Sequence, residues 1–391
     1  MTTREMPGED DSMPTAVRRI TAVINAGRET GDHRRVEELL RRVGADVDFL
    51  FVTKNGLRKV MQIVPLARRI SSGEPDLVFV EGTGIVGGLA AMLARRMSRG
   101  RIKYLISSGD AASRFARNAR GPAAGLLIHV YEVLLYRSSF AFVGWTPYLV
   151  GRAIRMGAPR GLTIEGAAPA EFSGARPTAP DGATARSDLG LPLDALVVCV
   201  SGSLTWTSRQ SYAYGLELTL AAPLVDRRDV RFLIVGDGTG EDELRSRAAG
   251  DDRFVFTGRV PHSDMPKVLA AADVAVISQT RDEIGLLRLT TKLPEYLALG
   301  VPVIVPNTPA MIDYLVDTEG GPAWFLPAAH PASGAWASSL ARWIETADRD
   351  DIADRSARAL RVADERFRPD LGAARLREFL ISEEADMHGR P

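Results

Sequence analysis

Short apolar runs recur along the chain, and most are followed by a stretch in which apolar positions return every three or four residues. Residues 19–26 read as a strand, and 32–43 then place Val36, Leu39, Leu40 and Val43 on one helical face. Residues 47–53 give a second strand, and 57–70 a helix with Ile63, Leu66, Ala67 and Ile70 on one side. A third strand at 76–80 precedes Gly82, Gly84 and a helix over 85–97; further strands fall at 102–107, 140–144 and 161–164. Thr146-Pro147 predicts the start of a helix, with Thr as N-cap and Pro at the first helical position, and Gly157 closes it.

Residues 166–187 are rich in Ala, Pro, Gly and Ser and read as a linker. A second series follows, with strands at 195–201, 231–235, 254–257, 274–278 and 301–305. Helices are predicted near 212–224, 241–248, 266–271 and 293–299. From 335 to 384 the pattern is helical, with a break at Arg368-Pro369. Short apolar strands alternating with helices imply parallel sheets covered on both faces. The expected architecture is α/β: a disordered tail at 1–15, a first Rossmann-like domain at 16–187 that includes the linker, a second at 188–366, and a terminal helix and tail at 367–391. Ligands of such folds bind beyond the carboxyl ends of the strands, so the cleft between two lobes is the natural site.

Length agrees with this division, since 391 residues at about 150 per domain give two to three domains. Lys+Arg and Asp+Glu both number 49, so the chain is formally neutral and lacks the basic excess of a nucleic-acid binder. A hydrophobic share of 45% is enough to build a core and excludes disorder throughout. The single cysteine, Cys199, lies in an apolar run and reads as a buried thiol. Residues 1–15 carry acids and prolines and no apolar core, unlike a signal peptide. No apolar stretch is long enough to span a membrane. The nearest approach, 121–136, is interrupted by His129 and Glu132 and reads as a buried helix, with an interfacial helix as the alternative. A cytoplasmic protein is expected, with peripheral membrane contact left open.

The strongest local signal is the run from Thr290 and Thr291 through Lys292, Leu293 and Glu295 to Gly300 and Pro302. Gly300 and Pro302 end a short helix that begins near Thr291, so Lys292 and Glu295 share its first turn. Free amides and a lysine there suit a diphosphate, and Glu295 suits ribose hydroxyls; a plain surface Lys–Glu pair on a core helix is the competing reading. The strand ending in Gly236-Asp237-Gly238 has no third glycine at dinucleotide spacing and also reads as a simple turn. Glycine-containing turns recur at 25–28, 107–110, 201–203 and 257–260. The five histidines are dispersed with no i,i+4 metal pair, and Asp46-x-Asp48 reads as a strand edge. His262 reads as a loop and helix-start residue. No nucleophile elbow or P-loop is present.

The order of "FLIVGDG", "FVFTGRVPHSDMPKVLAAADVAVISQ" and "KLPEYLALGVPVIVP" over 195–305 resembles the retaining GT-B glycosyltransferases of glycosyltransferase family 4. The amino half resembles them more loosely, in "VINAGRETGDHRRVEELL", "PDLVFVEGTGIVGGLAAMLA" and "MGAPRGLTIEGAAPAEF". The resemblance implies two lobes facing across a cleft, with terminal helices crossing back to the first. It also implies retaining, metal-independent transfer from a nucleoside diphosphate sugar, UDP-sugar favoured over GDP-sugar, to a small-molecule, natural-product or glycan acceptor. By the same resemblance Glu295 contacts the donor ribose, and Thr290, Thr291, Lys292 and Leu293 lie by the phosphates or sugar. Arg259 and Val260 meet the base, and Ser203 and Arg209 occupy the diphosphate loop. Gly27, Gly236 and Gly238 allow close approach, and Ser108 and Asp110 occupy a catalytic position. Leu287 stands where the family has the first glutamate of a pair, with Glu283 four residues early, and Ser203 stands near a missing Arg. These departures keep two alternatives in play: a non-catalytic nucleotide-sugar-binding protein and a nucleotide-sugar epimerase.

Overall fold

The computed structural model describes residues 17–28, 30–53, 56–173, 179–206, 214–280, 282–316, 320–327 and 333–388. The expected tail at 1–15 and Arg209 lie outside the described residues.

The first lobe runs β1 (Arg19–Ile24), α1 (Gly31–Val43), β2 (Asp46–Phe51), α2 (Leu57–Val60), α3 (Ile63–Gly73), β3 (Leu77–Glu81), α4 (Ile85–Met97) and β4 (Lys103–Ser108). It continues with α5 (Ala112–Arg120), α6 (Pro122–Arg137), β5 (Ala141–Gly144), α7 (Pro147–Arg155) and β6 (Gly161–Thr163). The strands form one parallel sheet in the order β2-β1-β3-β4-β5-β6. Alternate strand residues face opposite layers. Val23, Val78, Val80, Ile106 and Phe142 pack under α3, α4, α6 and α7, whereas Ile20, Ala22, Phe79, Leu105 and Val143 pack under α1.

Two helices, α8 (Ala170–Ser173) and α9 (Ala179–Asp188), lie within the stretch read as linker. The second lobe runs β7 (Leu196–Ser201), α10 (Leu216–Ala221), β8 (Val230–Val235), α11 (Glu241–Arg247), β9 (Phe254–Phe256), α12 (Met265–Leu269) and β10 (Val274–Val276). Then come α13 (Glu283–Leu287), α14 (Lys292–Ala298), β11 (Val303–Pro306), α15 (Pro309–Leu315), β12 (Ala323–Leu326), α16 (Gly334–Thr346), α17 (Arg349–Arg366) and α18 (Pro369–His388). Its sheet is also parallel, in the order β12-β11-β10-β7-β8-β9. Cys199 is fully buried in β7, and burial pushes its thiol far above the ordinary range. The break at Arg368-Pro369 separates α17 from α18, which crosses back and puts Ala373, Leu376 and Leu380 into the core beneath α1.

Three expectations change. The helix read over 57–70 divides into α2 and α3, because Pro65 sits in the first turn of α3 and would meet the Met61 carbonyl in an unbroken helix. The strand β12 is an addition at the sheet edge. The stretch 121–136 forms α6, but it is not buried: Gly125, Glu132, Leu135 and Tyr136 face inward while Leu126, Leu127, Val130 and Leu134 are exposed. Thr146 is the N-cap of α7 as predicted, its Oγ1 accepting from the Leu149 N–H at 3.2 Å.

Candidate functional site

In the first lobe, the loop after β1 is fixed by Asn25. Its Nδ2 donates to the Glu81 carbonyl at 2.9 Å, and its Oδ1 accepts from the Gly87 N–H at 3.1 Å. A Cβ on Gly84 would lie 2.3 Å from the Asn25 Cγ, so glycine there is demanded by the Asn25 clamp. Gly27 differs: a Cβ there would meet nothing within 4 Å, so it borders open space. Thr30 caps α1 and donates to the Gly27 carbonyl at 2.9 Å.

At the end of β4, Ser108 Oγ donates to the Asp110 carbonyl at 3.0 Å and accepts its N–H at 3.2 Å. The serine is buried, and its hydroxyl is occupied in shaping this turn. The turn presents Asp110, whose Oδ1 is buried without a hydrogen-bond partner and lies 3.5 Å from Arg288 Nε of the second lobe.

In the second lobe the loops after β7 and β8 pack backbone against backbone. Gly236 has φ 134°, and a Cβ there would fall 2.0 Å from the Gly202 carbonyl oxygen. Gly238, with φ 151°, would place one 2.3 Å from the Thr205 nitrogen. Both glycines are therefore explained by loop packing. Ser203 is exposed and its Oγ donates to Thr205 Oγ1 at 2.9 Å.

The helix α14 starts at Lys292, as the sequence predicts, and Thr291 makes no side-chain cap. The Lys292 ammonium lies 5.8 Å from the centroid of the Tyr214 ring and donates to Thr291 Oγ1 at 3.4 Å. Thr290 and Leu293 are buried, so Leu293 can offer a ligand only its backbone. Glu295 is 8% exposed. Burial raises its pKa, opposed by the charges of Lys292 and His262 and aided by Glu171. His262 is more than the start of a short helical turn. Its Nδ1 lies 2.8 Å from Glu171 Oε1, and its Nε2 lies 4.0 Å from Glu295 Oε1.

Arg259 lines a cavity of about 330 Å³ with Arg35, Glu81, Trp145, Glu171 and His262, drawn from both lobes and the linker. The Arg35 guanidinium stacks 4.3 Å from the Trp145 ring centroid and pairs with Glu81. Burial raises the Glu81 pKa, and the Arg35 charge works against that. Val260 packs, partly buried, on the second-lobe core.

Glu283 begins α13, capped by Asp282, and pairs with Arg114 of the first lobe at 2.5 Å. Leu287 closes the same helix; its side chain packs against the first-lobe core and its carbonyl accepts from Thr146 Oγ1 at 2.6 Å. The structure thus brings Asp110, Lys292, Glu295 and Arg259 to the facing ends of the two sheets. Sequence reasoning missed Tyr214, Arg288, Glu171 and the placement of His262. Their partners are distant in the chain, and no local spacing marks them.

Residues 196–346 match the family model described as glycosyl transferases group 1. A 2-deoxystreptamine N-acetyl-D-glucosaminyltransferase of Streptomyces fradiae is 41% identical over 75 residues, covering 18% of this chain and 17% of that protein. A 2-deoxystreptamine glucosyltransferase of Streptomyces kanamyceticus is 39% identical over 61 residues, covering 15% and 16%. The chain thus spans less than a fifth of either curated relative. Anabaena HepE, solved in complex with UDP and glucose, superposes with a TM-score of 0.69 at 17% identity, over 93% of this chain and 100% of that one. The chain has the two-lobed GT-B fold, and residues 196–346 of it are similar to the glycosyl transferases group 1 family.

Proposed function

We propose that this protein is a retaining, metal-independent glycosyltransferase that uses a nucleoside diphosphate sugar, with a UDP-sugar as donor. The observation that carries the reading is the cleft itself. The second lobe, which matches the family, presents Lys292 and Glu295, and the first lobe presents Asp110, whose Oδ1 is ion-paired with Arg288 and accepts no hydrogen bond. The UDP bound by the HepE neighbour supports the choice of base.

In this reading Glu295 holds the ribose, Arg259 and the Val260 backbone meet the base, and Thr290, Thr291 and the Leu293 amide border the diphosphate. Ser203 borders the phosphates. The bond from the anomeric carbon to the phosphate oxygen breaks, its electron pair passing to that oxygen. The acceptor oxygen bonds the anomeric carbon on the same face, and its proton passes to the departing phosphate. Lys292 and Arg288 stabilise the charge growing on the phosphate, as fixed cations in a water-poor cleft do. Asp110 accepts a hydrogen bond from the acceptor, Ser108 positions Asp110, and Glu283 holds the lobes together through Arg114. Both curated relatives are named for 2-deoxystreptamine, so an aminocyclitol is the first acceptor class to assay.

A thermal-shift series with UDP, GDP, TDP and ADP tests the donor site, since a ligand that binds the folded state raises its midpoint. UDP is expected to give the largest shift; no shift with any nucleotide overturns the reading. Donor consumption without acceptor would point to an epimerase, and UDP binding without turnover over a broad acceptor panel to a binding protein.

A further inference from the structure

The helix α6 carries apolar residues on both its inner and its outer side, a pattern that belongs in a protein interior or against lipid, with His129 and Arg137 exposed among them. Here only one side is buried. Leu126, Leu127, Val130 and Leu134 form a single stripe along the outer side, each at least half exposed. Gly125 lets α5 and α6 approach closely, because a Cβ there would sit 2.6 Å from Arg117 Cβ, and Gly121 turns the chain between them with φ 91°. The pair is a rigid hairpin, and its exposed apolar side is built, not frayed.

The helices from α2 to the stripe are rich in cations, although Arg69 pairs with Asp48 and Arg114 with Glu283. The helices α2 to α6 carry ten Lys and Arg and a single acid, Glu132, although the whole chain is neutral. Glu132 is fully buried and paired with Arg152 at 2.6 Å, so it does not offset the surface charge. The exposed Arg117 and Arg120 stand at the start of α6 and the exposed Arg137 at its end.

We propose that the outer face of the α5–α6 hairpin docks this protein onto an anionic lipid surface. Aliphatic side chains enter the headgroup–acyl boundary while the flanking arginines meet lipid phosphates. Among the described residues no helix is long and apolar enough to cross a membrane, so the contact is peripheral. The same hairpin borders the cleft: Arg114 and Asn118 of α5 bond Glu283 and Asp282 of the second lobe. Docking therefore brings the cleft mouth to the membrane surface.

Flotation of the full-length protein with vesicles tests this, comparing phosphatidylcholine alone with phosphatidylcholine plus phosphatidylglycerol. Binding is expected only to the anionic vesicles and is expected to fall at high salt. Leu127→Asp/Val130→Asp and Arg117→Ala/Arg120→Ala should each lower the partition by roughly tenfold or more, since each basic residue near such a surface contributes several-fold. Both variants should keep the wild-type unfolding midpoint and its response to UDP, which separates loss of docking from loss of fold or donor site. Lack of flotation with anionic vesicles, equal flotation with neutral ones, or wild-type partition in the variants overturns the proposal. So does a dimer in sedimentation that the same substitutions dissociate, because the stripe would then cover a second copy.

Discussion

Asp110 and Lys292 belong to opposite lobes, and they enter the proposed reaction differently. Lys292→Ala and Glu295→Ala are each expected to lower turnover more than tenfold, and Glu295→Ala should also reduce the UDP-induced thermal shift. Wild-type turnover in both removes them from the site. Asp110→Asn should lower turnover by a similar factor and leave the UDP shift intact, because the carboxylate is assigned to the acceptor side.

Glu217 offers a test of linkage that is independent of catalysis. It is fully buried in α10, its Oε1 accepts from Ser278 Oγ at 2.5 Å, and its Oε2 has no partner. Burial pushes its pKa up to about 7, and hydrogen bonds from Ser278 and nearby backbone amides pull against this. The folded state therefore holds a proton that the unfolded chain releases near pH 4.5, so stability is present below that pH and is lost as pH rises towards 7. Urea unfolding should show a decline on the order of 3 kcal/mol across this window, and Glu217→Gln should flatten it. A profile unchanged by Glu217→Gln excludes this residue as the cause.

At the scale of elements, Gly236 and Gly27 do opposite things. Gly236 ends β8 where a Cβ would strike the Gly202 carbonyl, so Gly236→Ala should lower the unfolding midpoint and disturb both loops. Gly27 borders open space, so Gly27→Ala should leave the midpoint unchanged while weakening donor turnover if a phosphate approaches there. Calorimetry and kinetics on the pair distinguish a structural glycine from a clearance glycine. The pair Arg152–Glu132 ties α7 to α6 beneath the exposed stripe, with Arg152 also donating to Ser113 Oγ at 2.7 Å. Glu132→Ala should cost about 3–5 kcal/mol by urea unfolding, since it leaves a buried guanidinium without its carboxylate.

For the molecule as a whole, α18 closes one side of the first lobe with residues that follow the second. Arg377 also donates to the Arg42 carbonyl at 2.6 Å. Removing residues 369–391 should expose the Ile20, Phe79 and Leu105 layer and give a protein that aggregates or melts well below the full chain. Polar contacts between the lobes include Arg288–Asp110, Arg114–Glu283 and Tyr148 Oη donating to Asp313 at 2.6 Å, beside the apolar packing of Leu287.

The alternation of apolar strands and amphipathic helices was enough to give two α/β lobes, the N-cap at Thr146, the buried Cys199 and the short helix opening at Lys292. Each depends on neighbours in the chain or on a period that local sequence records. The sequence could not place His262 between Glu171 and Glu295, set Arg288 beside Asp110, or turn Leu287 towards the first lobe, because those partners are distant in the chain and meet only in the folded molecule. The apolar residues on both sides of α6 likewise could not reveal its exposure. Periodicity marks a helix face only when the opposite face is polar, and on α6 it is not; tertiary packing alone decided which side met the core.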